Sequence, residues 1–309
     1  MYEKISVADM SRSEWLRLRK SGIGGSDAGA ICGVNPYSSP MKVFYDKTSN
    51  EVDETDSESA RQGRDLEDYV AQRFMEATGF KVRRSNFMYR SKEYPFMVAD
   101  VDRLLVGEDA GLECKTASAY NFDKWKDGEI PLHYILQCYH YMAVTGKRTW
   151  YIAAVILGRE FVYRKLTWDD AIIQHLVAVE KDFWENHILK GELPTPDGSK
   201  VCDAVLEQYF HTARKESAIE LVGFDEKLRR RDSILSALSK LQEELSQIEQ
   251  EVKLYMKDNE LATCEGYRVS WSNVESTRLD TKRIREEKPE IYRNYAKISI
   301  SRRFQIKAA

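Results

Sequence analysis

The chain has 309 residues, of which 42% are hydrophobic and 11% aromatic, enough for one large or two ordinary domains with a sizeable core. A formal net charge of −3 excludes a uniformly basic nucleic-acid coat, so any contact with DNA has to come from a local patch. Five scattered cysteines with no C-x-x-C pair exclude a zinc ribbon, an iron–sulfur cluster and a disulfide framework, and the lack of an 18-residue apolar run or an apolar N-terminal segment points to a soluble, cytoplasmic protein.

In chain order, residues 11–20 (SRSEWLRLRK) predict a capped helix with Trp15, Leu16 and Leu18 turned inward and its arginines outward. The next stretch, SGIGGSDAGAICGVNPYSSP, predicts a glycine-rich turn and a short helix opened by Ser26 or Asp27. Free N–H groups there, with Ser26 and Arg19 nearby, suit a phosphate, and they equally suit an ordinary N-cap. The acidic stretch 49–58 predicts a loop. The helix after it carries Leu66, Tyr69, Val70, Phe74 and Ala77 as its apolar stripe and ends at Gly79. Glu67 borders that stripe, either as surface decoration or as a carboxylate directed at the hairpin around Asp102 and Glu113.

Residues 80–90 predict one strand, and Phe96–Thr116 (FMVADVDRLLVGEDAGLECKT) two more around a glycine turn. Residues two apart on a strand share a face, which puts Glu113 and Lys115 side by side with Cys114 pointing away. Asp102 then lies across the turn. Two crowded carboxylates repel, and a hard divalent cation such as Mg²⁺ relieves that repulsion, with the lysine left to orient water or stabilise phosphate charge. The alternative is a solvated hairpin with a cross-strand ion pair. The loop after it holds Lys124, Trp125 and Lys126 as DNA-facing candidates. A helix over 131–146 places Gln137 and Tyr141 one turn apart, a buried strand (149–157) pairs with 160–166, and a helix covers 168–190.

Two prolines and two glycines in GELPTPDGSK (191–200) mark a boundary between a domain at 1–200 and a C-terminal module at 201–309. In the module, Ile234, Leu238, Leu241, Leu245, Ile248, Val252 and Tyr255 form a heptad seam, expected to fold back in a helical hairpin over about 203–259. A β/α tail (265–309) follows, with strands at 267–274 and 296–306. From Arg278 to Ala309 ten basic and four acidic residues make the tail +6 and leave −9 for the rest, an asymmetry that suits a DNA or partner contact.

The motifs IGGSDAGAICGVNPY (23–37), GRDLEDYVAQRF (63–74), VADVDRLL (98–105), LECKTAS (112–118) and LQCYHYMAVTG (136–146) together resemble the YqaJ-like viral recombinases, the lambda-type phage exonucleases, within the PD-(D/E)xK nucleases. The resemblance implies an α+β (α/β) core, a mixed sheet flanked by helices. It implies Mg²⁺, with Mn²⁺ as a substitute, held by Asp102, Glu113 and the Cys114 carbonyl, with Glu67 completing the acidic set. Lys115 matches the catalytic lysine and Gln137 its supporting glutamine; Tyr141 fits the related helicase–nuclease pattern as a DNA contact, and Arg19 with Ser26 the clamp on a 5′ phosphate.

The activity so implied is 5′-to-3′ digestion of double-stranded DNA ends for recombination in a bacterial host. The implied partner is a single-strand annealing protein, and the implied assembly is a homo-oligomer, a ring-shaped trimer being one form. A structure-specific or nicking endonuclease and a DNA-binding or assembly module without activity stay open beside it.

Overall fold

The continuous apolar run TWYIAAVI suits a strand covered on both faces, and in the computed structural model it lies inside the larger of two sheets. The structure describes residues 2–51, 57–215, 217–297, 299 and 302–306. The acidic loop expected over 49–58 therefore lies in large part outside the described residues. The chain divides into two units, Met1–His211 and Thr212–Ala309.

The first unit opens with β1 (Tyr2–Ser6), α1 (Arg12–Lys20), α2 (Gly25–Ile31), α3 (Pro40–Thr48) and α4 (Glu58–Thr78). The strands β2 (Val82–Arg84), β3 (Phe87–Ser91), β4 (Val98–Asp100), β5 (Arg103–Leu105) and β6 (Ala110–Ala117) come next. Then come α5 (Leu132–Thr145), β7 (Thr149–Ile156), β8 (Glu160–Thr167), α6 (Asp170–Asp182) and α7 (Lys200–Tyr209). Ser11 and Glu14 close a capping box on α1, worth about 1 kcal/mol, and Gly79 and Gly146 end α4 and α5 in the left-handed conformation.

A five-stranded sheet runs β2-β5-β6-β7-β8, and a three-stranded antiparallel sheet runs β1-β3-β4. In the larger sheet only β6 and β7 are parallel, joined by the crossover helix α5. On one face α4 packs through Val70, Ala71 and Phe74 against Leu112, Tyr151 and Ala153. On the other, α5 and α6 bury Cys138, Met142, Ile173 and Leu176 against Trp150, Ile152 and Ala154. Gly111 lets Trp150 lie on the strand, since a Cβ there would stand 2.4 Å from the indole.

Three expectations change. Residues 80–90 form two strands in different sheets, because β2 pairs with β5 while β3 pairs with β1 and β4. The first half of the Phe96–Thr116 hairpin breaks in the same way: β4 belongs to the small sheet and β5 to the large one, leaving Val101 and Asp102 at the crossing. On α4, Tyr69 and Ala77 are exposed rather than part of the stripe, and Ala71 replaces them.

The boundary between units falls after α7 instead of near residue 200, since Cys202 and Val205 share a buried cluster with Met41 of α3. The second unit holds α8 (Asp225–Met256), a hairpin of β9 (Leu261–Cys264) and β10 (Tyr267–Ser270), and the short helices α9 (Thr281–Glu287) and α10 (Pro289–Tyr295). Within the first unit α7 spends its apolar side on α3, and within the second the seam residues of α8 from Ile234 to Ile248 are exposed. No described residue of 296–306 is in a strand. Among the described residues no helix is long and apolar enough to cross a membrane.

Candidate active site

The antiparallel register that pairs Arg103 with Leu112 brings Asp102 to the level of Glu113, and Asp102 Oδ2 accepts a 2.7 Å hydrogen bond from the Cys114 N–H. Glu113 and Lys115 project from the same face of β6, as their spacing requires, and Lys115 Nζ donates to Glu113 Oε1 at 2.5 Å. Gln137 Nε2, reaching in from α5, donates to the same oxygen at 2.7 Å and to the Tyr141 hydroxyl at 2.9 Å. The hairpin is thus not solvated. Glu113 is 2% exposed, whereas the Lys115 side chain keeps 20% of its surface open.

The electrostatics follow from this crowding. Burial first, then the charge of Glu113, push Asp102 up to about 8, against the pull of Lys115 and the Cys114 N–H. Glu113 is raised as well, chiefly by burial, with Lys115 opposing. Burial works against the ammonium of Lys115, yet the two carboxylates outweigh it and hold the lysine above its ordinary value, fully charged. The Lys115 ammonium also lies 4.7 Å from the centre of the Tyr134 ring.

Glu113 Oε2 is buried and has no hydrogen-bond partner, the single carboxylate oxygen in that condition among the described residues. A buried charged oxygen without a partner costs several kcal/mol on the usual scale, about what a cation beside it would recover. Among the described residues no three His, Cys, Asp or Glu side chains converge. The donor set is instead two crowded carboxylates, one of them with a buried oxygen that has no hydrogen-bond partner, and it suits a hard divalent ion that takes its remaining ligands from water or substrate.

Glu67 comes in from α4, but its carboxylate is taken by the Arg103 guanidinium, which also holds Asp68 at 2.6 Å. Burial and then the charge of Asp102 raise Glu67, with Arg103 opposing, so it stands close enough to the pair to feel it. The Cys114 side chain packs on the α4 side of the sheet, where its spacing put it.

Arg19 and Ser26 are brought together: the guanidinium donates to the Ser26 hydroxyl, with Asp27 at 3.8 Å. The segment is tied to the small sheet by Ile23, whose N–H donates to Phe96 O and whose carbonyl accepts from Val98 N at 2.8 Å. Gly25 and Gly29 serve helix packing: a Cβ on them would stand 2.6 Å from Tyr141 and from His133 on α5. The cap on α2 is made by Asp27, whose carboxylate takes the Gly24 N–H at 2.9 Å and pairs with Lys47 at 2.7 Å. The Lys47 and Arg19 charges hold Asp27 down at about 2 despite its burial.

Tyr141, expected at the DNA, is 5% exposed and reaches Gln137 instead. Trp125 is 2% exposed and belongs to the core. Lys126 pairs with Asp123 and lies over Phe122. Lys124 is exposed, and after burial and the charge of Lys115 its charge helps push His133 down to about 4.

Sequence reasoning missed three neighbours. Arg103 is 3% exposed and anchors Glu67, and an arginine inside an apolar strand was the signal. Asp100, two residues before Asp102, accepts from Trp15 Nε1 at 3.2 Å. His140 on α5 and Glu180 on α6 are fully buried and bonded at 2.8 Å, and Glu180 continues the Ile173, Leu176, Val177 stripe at helical spacing.

The comparisons agree with the motifs. The family described as the YqaJ-like viral recombinase domain matches residues 14–148. Protein YqaJ of Bacillus subtilis (strain 168), itself uncharacterized, is 40% identical over 304 residues, 97% of this chain and 95% of that one. Among solved structures, an alkaline exonuclease (LHK-Exo) from Laribacter hongkongensis covers 65% of this chain and 99% of its own at 16% identity and a TM-score of 0.49. LHK-Exo in complex with dAMP covers 64% and 96% at 17% identity and the same score. With the 40% identity to YqaJ sustained along almost the whole of both chains, this protein belongs to the YqaJ-like viral recombinase family.

Proposed function

We propose that the protein is a metal-dependent deoxyribonuclease that digests double-stranded DNA from its ends, 5′ to 3′, in recombination by single-strand annealing. The observation that carries the hydrolytic reading is the arrangement at β6: two carboxylates raised chiefly by burial, Asp102 further by the charge of Glu113, with a charged, partly open lysine beside them and one buried carboxylate oxygen left without a partner. Direction and pathway rest on the family resemblance.

Asp102, Glu113 and the Cys114 carbonyl would hold Mg²⁺ or Mn²⁺, which supplies Lewis-acid chemistry to a phosphodiester when bound. The chain's own groups divide the remaining work. Gln137 and Lys115 both occupy Glu113 Oε1, and Oε2 has no hydrogen-bond partner. The Lys115 ammonium, kept charged, orients water or stabilises the charge that builds on the phosphate. Arg103 fixes Glu67 beside the pair, where a water could bridge it to the ion. Tyr141 acts by holding Gln137. Arg19 with Ser26 supplies a clamp for a terminal phosphate, and Lys124 a contact along the strand.

The test is incubation with Mg²⁺ and two DNAs, one linear and one covalently closed. Loss of the linear DNA alone is expected. Loss of both would make the protein an endonuclease, and loss of neither a binding module. Unequal digestion of two ends that differ only in a 5′ phosphate reads the direction and the clamp together.

A further inference from the structure

Helix α8 has 32 residues, about 48 Å at the usual rise, and only Met256 of it is buried. Ile234, Leu238, Leu241, Leu245 and Ile248 are each 44–61% exposed, although they recur with the 3.5-residue period by which one helix covers another. The apolar residues of the preceding helix α7, Cys202 and Val205, have a place of their own, buried with Met41 of α3.

The charges of α8 say what does. Its first half, Asp225–Lys240, holds five basic and three acidic residues, and its second half, Leu241–Met256, holds four acidic and one basic. Two copies side by side in parallel would set like against like at both ends. Antiparallel, the +2 half of each lies on the −3 half of the other. Arg230 and Glu251 occupy the same flanking position of the heptad, the one that meets its equivalent across an antiparallel seam, so that arrangement offers them an ion pair. We propose that α8 docks on α8 of a second copy of this chain as an antiparallel coiled coil, a two-fold contact that doubles whatever assembly the first unit forms.

A seam of three heptads is short, so the flanking charges decide both orientation and strength. The test is the mass of the full-length chain by sedimentation or light scattering, at low and at high salt. Association that weakens with salt is expected. Leu241→Asp with Leu245→Asp should halve the assembled mass. Should that variant fail to fold, Arg229→Glu, Arg230→Glu and Arg231→Glu together leave the seam intact and should also halve it. Mixing this acidic variant with one carrying Glu244→Lys, Glu249→Lys and Glu251→Lys should restore the full mass. A mass untouched by breaking the seam, or association strengthened by salt as facing like charges require, overturns the proposal. So does a seam that is covered only when a different protein is added.

Discussion

Helix α5 carries two clusters of buried charge, and they are built to opposite specifications. Around His140 every polar atom is met: Nδ1 faces both oxygens of Glu180 at 2.8 and 2.9 Å, and Nε2 faces the Val98 carbonyl at 2.9 Å. With acceptors on both ring nitrogens, the histidine and the glutamate hold one proton between them and no surface is left over. Around Glu113, three residues earlier on the helix through Gln137, one oxygen is doubly bonded and the other is bare. A satisfied buried pair pins α5 to α6 and β4. An unsatisfied one next to a partly open lysine is where a further group belongs.

The largest expected effect separates the two clusters by chemistry. Glu113→Gln and Lys115→Ala should each lower Mg²⁺-dependent cleavage by roughly 10²–10³-fold or more while leaving the melting temperature close to that of the parent. Near-normal cleavage in both variants would move the site elsewhere. The second cluster should behave in reverse. His140→Ala strands a buried carboxylate and should cost about 3–5 kcal/mol of stability, seen as a large drop in the denaturant midpoint, with residual activity tracking the folded fraction. A stable His140→Ala enzyme with lost turnover would break the contrast.

Smaller effects sharpen it. Arg19→Ala removes charge-assisted bonds worth roughly 1.5–3 kcal/mol, about ten- to hundredfold in rate, on 5′-phosphorylated ends but not on 5′-hydroxyl ends. Equal slowing on both would make Arg19 a structural neighbour of Asp27. The smallest effect is one of pH. Asp102 keeps its proton to about pH 8 in the folded chain, against an ordinary value of 3.8 when unfolded. Between those limits the folded state holds more protons, so without metal the stability falls as pH rises from about 4 to 8. Mg²⁺ should flatten that slope, and Asp102→Asn should lessen it, leaving the share of Glu113 and Glu67, whose carboxyls are raised as well. A metal-free protein that grows more stable with pH across this window, in step with Asp102, would reverse the assignment.

Glu113 beside Lys115, and Gln137 beside Tyr141, could be read in advance because those relations are local, whereas Gln137 meets Glu113 across 24 residues and only the family resemblance implied its supporting role. A two-residue step on a strand and a three- or four-residue step on a helix point side chains the same way whatever surrounds them. Arg103, Asp100 and the His140–Glu180 pair could not be paired by such steps. Their partners lie 36, 85 and 40 residues away along the chain.

Sequence alone determined the helices α1, α4 and α5, the strands β6 and β7, and the shared face of Glu113 and Lys115, since periodicity, caps and glycine stops are set by a few neighbouring residues. Tertiary structure decided three matters that depend on what else is packed nearby. It split the strand at Asp102 between two sheets, because β3 and β6 compete for the two halves. It turned Tyr141 and Trp125 from expected DNA contacts into buried supports. It gave the apolar side of α7 to α3 and left the α8 seam open, because which surface an amphipathic helix covers is settled by the shape and charge of the surfaces on offer, and its own spacing only states that one is needed.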